Sequence, residues 1–215
     1  MQRSLSLSSL LAGLLVMLVL PAGASAQDDP FRFELTPYGA YRFGGDFDDT
    51  TANATIDLDD AASFGIIFNA VDSANTQWEV IYSQQKTDAD TSNAGIPVPE
   101  LDVTLHYLQG GGTYHGRGEL VRPFLAATVG GTYIDVGTSG YESDAYFSFS
   151  FGLGLQIRPN ERFGIRLEGR AWGTFVDSSS ELFCETSPAN NICAITVDGS
   201  ALWQFETLAG VIFRF

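Results

Sequence analysis

The last fifteen residues, Ala201-Leu-Trp-Gln-Phe-Glu-Thr-Leu-Ala-Gly-Val-Ile-Phe-Arg-Phe215, constrain the chain more than any other stretch. Counting back in twos from Phe215 gives Phe213, Val211, Ala209, Thr207, Phe205 and Trp203; the other face carries Arg214, Ile212, Gly210, Leu208, Glu206 and Gln204. A period of two is that of an extended strand, whose side chains alternate between faces. An apolar strand of this length cannot be left as an open edge without inviting aggregation. The sheet it joins must close on itself or be covered.

The rest of the chain supplies more strands and no amphipathic helix. Strands are predicted at about 31–44, 62–71, 78–86, 100–114, 120–136, 147–157, 162–176 and 201–215. The sixth alternates most cleanly, with Phe147, Phe149, Phe151, Leu153, Leu155 and Ile157 against Ser148, Ser150, Gly152, Gly154 and Gln156. Connections alternate long and short. Asp72–Gln77, His115-Gly-Arg-Gly118 and Pro159-Asn-Glu161 are the tight ones. The architecture that suits eight such strands is an all-β, eight-stranded antiparallel up-and-down transmembrane β-barrel, which has short periplasmic turns and longer outer loops. In hydrocarbon only a closed barrel leaves no strand edge unpaired.

The front of the chain agrees. Arg3, the apolar run Leu10–Leu20 and Ala24-Ser-Ala26 have the order of a secretory signal peptide, so residues 1–26 are expected to be removed and 27–215 to form the barrel. The apolar run falls short of the roughly 20 residues a spanning helix needs. The formal net charge of −15 excludes nucleic acid as a partner, since phosphate backbones require clustered Lys and Arg. Cys184 and Cys193 lie close together in an exported chain, and are expected to form one disulfide in the last long loop.

A soluble ligand-binding barrel also alternates, but turns its apolar face inward. The charges decide otherwise. Arg32, Arg42, Arg122, Arg166 and Arg170 share the polar parity with Glu34, Glu79, Asp102, Glu168 and Glu206. Five positive and five negative groups suit a dry interior in which each charge needs a counter-charge. An Arg turned to lipid at the midplane would cost about 2–4 kcal/mol. By the same parity Ile67, Ile81 and Leu108 also point inward, too few to line an apolar path. Aromatics at strand ends fit two interfacial girdles: Phe31, Trp78, Phe163, Phe213 and Phe215 at one end, Tyr41, Phe43, Tyr82, Tyr133, Phe175 and Trp203 at the other.

On these features the chain resembles the small eight-stranded outer-membrane barrel superfamily of Gram-negative bacteria, which includes the OmpA transmembrane domain, OmpX/Ail and OmpW. The resemblance implies that Phe205, Val211, Phe213 and Phe215 form the terminal signal read by the barrel-assembly machinery. It also implies an outer-membrane location, and, on the reading that the chain ends at its barrel, no periplasmic peptidoglycan-binding domain is expected.

No catalytic constellation stands out. Two barrel enzymes of this size act on lipid A through a His with a Ser, but His106 is followed by Tyr-Leu and His115 by Gly-Arg. His106 is expected in the interior and His115 in a periplasmic turn. The acidic cluster Asp46, Asp48, Asp49, Asp57, Asp59 and Asp60 in the first long loop could hold a divalent cation and bridge to lipopolysaccharide phosphates, although it lacks the spacing of a calcium-binding loop. A solvated, self-repelling loop is the simpler expectation, and no cofactor is implied. The function expected is non-enzymatic: a scaffold for acidic loops in envelope integrity or surface interaction, its extracellular partner unspecified. A narrow or gated path for small solutes is the alternative, and lipid A modification is a distant third.

Overall fold

The computed structural model describes residues 32–49, 54–90, 100–136, 144–175, 181–187, 190–196 and 201–215, with backbone alone at 46–49, 54–57, 181–187, 190–196 and single residues at other strand ends. The strands are β1 (Phe33–Phe43), β2 (Asp46–Asp49), β3 (Ala54–Leu58), β4 (Ala61–Val71), β5 (Thr76–Asp90), β6 (Glu100–His115), β7 (Val121–Val136), β8 (Asp144–Ile157), β9 (Phe163–Phe175), β10 (Glu181–Ser187), β11 (Asn190–Thr196) and β12 (Ala201–Arg214). The expected signal segment 1–26 lies outside the described residues.

Eight strands close the barrel. β1 pairs with β4 and with β12, β12 with β9, and β9, β8, β7, β6, β5 and β4 each pair with the next, all antiparallel. The last strand therefore finds its partner in the first. Phe33 and Phe215 exchange two backbone hydrogen bonds of 3.0 Å. The connections 72–75, 116–120 and 158–162 gather at this end, and the long connections at the other. Two additional hairpins decorate the long-connection end: β2 with β3, which continues onto β5 through Asp57 and Leu58, and β10 with β11. Gly44 and Gly45 leave β1 with φ of 77° and 125°, the left-handed region that lets the chain turn abruptly into β2.

The outward face is apolar. Leu153 is 68% exposed and Leu125, Phe151, Phe64 and Val129 follow it closely. Water would not tolerate so continuous a band, whereas lipid is its natural solvent. Rings mark both borders: Phe33 stacks on Phe68 and Phe163 meets Phe213 edge-on at the short-turn end, while Phe147 stacks on Phe175 and Phe149 meets Trp203 edge-on at the other. The terminal residues Phe205, Val211, Phe213 and Phe215 all face outward.

One strand departs from expectation. On β6, Val103, Leu105 and Tyr107 are buried inside, whereas Asp102 and His106 face outward. Leu108 is 50% exposed on the outward face, not inward, and Ile67 and Ile81 are buried in the lumen. The reason is length. β5, β6 and β7 outrun the apolar band, and beyond it the inside becomes apolar (Leu58, Val103, Leu105, Ile134, Leu202) and the outside polar. The barrel is lipid-adapted over one part of its height and water-adapted over the other.

Candidate functional site

The lumen holds two tiers of charge. In the lower tier Arg166 and Arg170 from β9 meet Glu79 from β5 across the barrel. Arg166 Nη2 donates to Glu79 Oε2 at 2.8 Å and Arg170 Nη2 to Glu79 Oε1 at 2.7 Å. Glu168, between the two arginines on the same inward face, accepts from Arg166 Nε at 2.7 Å and Arg170 Nε at 2.8 Å. Two guanidinium and two carboxylate groups thus form a neutral, closed ring, and Asn69, Ser150 and Thr128 take up further hydrogens. Gly152 makes this possible, because a Cβ there would overlap Glu168 Oε1.

The upper tier is built on Arg42 and Glu206, direct neighbours across β1 and β12. Their side chains meet at 2.5 Å, Ser63 Oγ donates to the same carboxylate oxygen at 2.7 Å, and Arg42 Nη2 donates to Ser83 Oγ at 2.6 Å. The Arg42 guanidinium lies between Tyr107 and Trp172, 4.6 and 4.9 Å from their ring centroids. A charge-paired arginine stacked on two rings is a well-filled plug. Tyr38 Oη, Arg42 Nη1, Glu206 Oε1 and Trp172 Nε1 have no protein partner among the described residues, and groups of this kind are usually satisfied by ordered interior water.

Glu34 closes the short-turn end, accepting from Arg158 and Arg214 at 3.1 Å each. Of the ten charges expected inside, Glu34, Arg42, Glu79, Arg166, Glu168, Arg170 and Glu206 are buried in the lumen. Three differ. Arg32 is exposed just before β1, because its strand begins only at Phe33. Arg122 has inward parity but sits at the rim, where Nη2 donates to the Ala74 carbonyl at 2.8 Å. Asp102 faces outward on the part of β6 that leaves the apolar band.

Sequence reasoning overlooked the roles of Arg158, Arg214, Tyr107 and the serines. Arg214 had a visible signal, since its strand must pair with the first and the register sets it opposite Glu34. Nothing local marks Ser63 or Ser83.

The histidines also move. His106 faces outward, its Nδ1 2.9 Å from Tyr82 Oη. His115 is the last residue of β6, not part of the turn, and is buried with Nε2 3.0 Å from Thr113 Oγ1. Among the described residues neither has both a carboxylate and a nucleophile at hand, as hydrolytic chemistry requires. Among the acidic-loop residues, Asp59 and Asp60 are exposed and Asp60 Oδ1 accepts from the Gly44 amide at 3.1 Å. The side chains of Asp46, Asp48, Asp49 and Asp57 lie outside the described residues, although the backbone sets Asp46 opposite Asp57. Among the described residues no group of three His, Cys, Asp or Glu is arranged to hold a metal. Cys184 and Cys193 occupy directly opposed positions of the β10–β11 hairpin.

Known proteins place this architecture. The chain matches the family described as Outer membrane protein beta-barrel domain over residues 12–190. No curated protein matches it in sequence. Its fold is similar to that of Neisserial surface protein A, with a TM-score of 0.57 at 13% identity over 85% of this chain and 97% of that one. It is also similar to the outer membrane protein OprG from Pseudomonas aeruginosa, with a TM-score of 0.52 at 13% identity over 86% and 96% of the two chains.

Proposed function

The chain belongs to the outer membrane protein β-barrel domain family, and on that premise we propose that it is a closed, non-enzymatic scaffold that presents acidic loops at the outer surface of a Gram-negative bacterium. One observation carries the reading: the Glu79–Arg166–Arg170–Glu168 ring, whose members are at most 3% exposed, spans the lumen from β5 to β9. Opening a path through it would require buried charges to lose partners, each loss costing several kcal/mol. The Arg42–Tyr107–Trp172 stack and the apolar cap of Leu58, Val103, Leu105 and Leu202 add two further layers. A barrel filled in this way has its recognition chemistry on its loops, held by a rigid frame.

The surface it presents is acidic. Lys86 is the sole lysine, and the arginines occupy the lumen or the short-turn end. Removal of residues 1–26 on export and a Cys184–Cys193 disulfide in the last loop complete the reading. Solute entry into liposomes tests it. Vesicles containing the refolded barrel should swell no faster than empty ones in small sugars or amino acids, and swelling at a porin-like rate would replace the scaffold with a transport function.

A further inference from the structure

On the outward wall near the long-connection end, Gln84 on β5 stands directly opposite His106 on β6, and Lys86 directly opposite Thr104. These four side chains form a two-by-two block on one face. Toward the short-turn end the same face continues as Tyr82, Val80 and Leu108, which belong to the lipid band. Away from it come Asp88 and Asp102, again directly opposed. The block therefore lies where the wall passes from hydrocarbon to water, at the depth of lipid headgroups.

Apart from His106 Nδ1, its hydrogen-bonding capacity is uncommitted among the described residues. Lys86 is exposed and makes no ion pair among the described residues, although Asp88, Asp102 and Asp135 are all within two positions of it or of Thr104 across the sheet. Gln84 and Thr104 are half-buried and make no side-chain hydrogen bond among the described residues. His106 is oriented by Tyr82 Oη at 2.9 Å on Nδ1, and its ring is flanked by Tyr133 at 6.3 Å between centroids. When the phenol donates to Nδ1, the imidazole proton sits on Nε2 and leaves that nitrogen a donor.

We propose that Gln84, Lys86, Thr104 and His106 bind the phosphate of an outer-leaflet lipid. The proposal rests on the orientation in the reading above, with the long loops outside. An ammonium, an imidazole N–H, an amide and a hydroxyl within one cross-strand block, where opposed Cβ atoms are about 5 Å apart, match the several acceptor oxygens of one phosphate. Charge-assisted bonds are stronger at this depth than in open water. Among the described residues Lys86 is the one Lys or Arg on the outer part of the wall, so no second place there offers an anion such a counter-charge. Asp88 and Asp102 form an acidic border that turns an anion away from the wall above, and Asp135 stands level with the block beside Thr104. Val80, Leu108 and Val129 below are an exposed apolar surface for the attached acyl chains, which favours a lipid over free phosphate.

Native mass spectrometry of the refolded barrel in a mild non-ionic detergent tests this, with bis-phosphorylated lipid A, the same glycolipid stripped of phosphate, and inorganic phosphate as probes. The intact barrel should retain the phosphorylated lipid, and K86Q/H106Q should weaken retention about tenfold or more, the effect expected for loss of a charged hydrogen bond. K86R should restore most of the retention seen for wild type when compared with K86Q, and R117Q at the opposite end should change nothing. Equal retention of the phosphate-free glycolipid, or undiminished retention by K86Q/H106Q with its folded gel mobility intact, would overturn the site. Saturation by inorganic phosphate without preference for the lipid would overturn the lipid assignment. The experiment reads no permeability, so a conducting barrel with this lipid preference would sink the scaffold reading and leave the site standing.

Discussion

Glu79 on β5 and Arg170 on β9 belong to strands that are not neighbours, yet their side chains meet at 2.7 Å across the lumen. This contact ties opposite walls of the cylinder and shares its carboxylate with Arg166 at 2.8 Å. It links a parity pattern in the sequence to a filled interior.

Removing the carboxylate should be severe. E79Q leaves Arg166 and Arg170 with Glu168 as their only carboxylate among the described residues, so folding stability should fall by about 3–5 kcal/mol, the cost of orphaning a buried ion-pair partner. Urea unfolding of the refolded barrel in lipid vesicles, followed by tryptophan fluorescence, measures it. A loss below 1 kcal/mol would mean that water already bathes the ring.

The outward face should distinguish two media. L153R places a cation in the lipid band and should cost about 2–4 kcal/mol, whereas D102R, on the part of β6 beyond that band, should stay within about 0.5 kcal/mol. Equal costs would contradict the change of polarity along β6.

Topology is open to chemistry. A membrane-impermeant maleimide should label D59C on intact cells and A74C only after permeabilisation, because these exposed positions lie at opposite ends of the barrel. The reverse pattern would invert the orientation.

The cysteines give a separate test. If Cys184 and Cys193 are bonded, the denatured wild-type protein takes up maleimide only after reduction, while C184A labels without it. The cross-link should contribute about 2–3 kcal/mol to the loop that it closes on the chain-entropy model, read as protease resistance of the loop. Free labelling of unreduced wild-type protein would exclude the bond.

Legibility followed the surrounding medium. β1, β8, β9 and β12 could be assigned side by side with their lumen because, within hydrocarbon, apolar means outside; Arg42, Arg166, Glu168 and Glu206 all obey this. Asp102 and His106 did not, since β6 continues past the lipid and the same rule reverses in water, putting Leu105 inside. A strand's period gives its two faces but not the height at which the solvent changes. Arg32 and Arg122 were misjudged for a related reason: at a strand end, parity no longer determines whether a long side chain is enclosed. The hairpins β2–β3 and β10–β11 lie in polar segments whose composition resembles loops, so no hydrophobic alternation announced them.

The most direct measurement of the filled lumen is solute flux through the refolded barrel in liposomes, compared with empty vesicles and with E79Q. The account predicts that wild-type vesicles stay as tight as empty ones to sugars and amino acids. Rapid entry through the wild-type barrel, with its folded gel mobility intact, would contradict it.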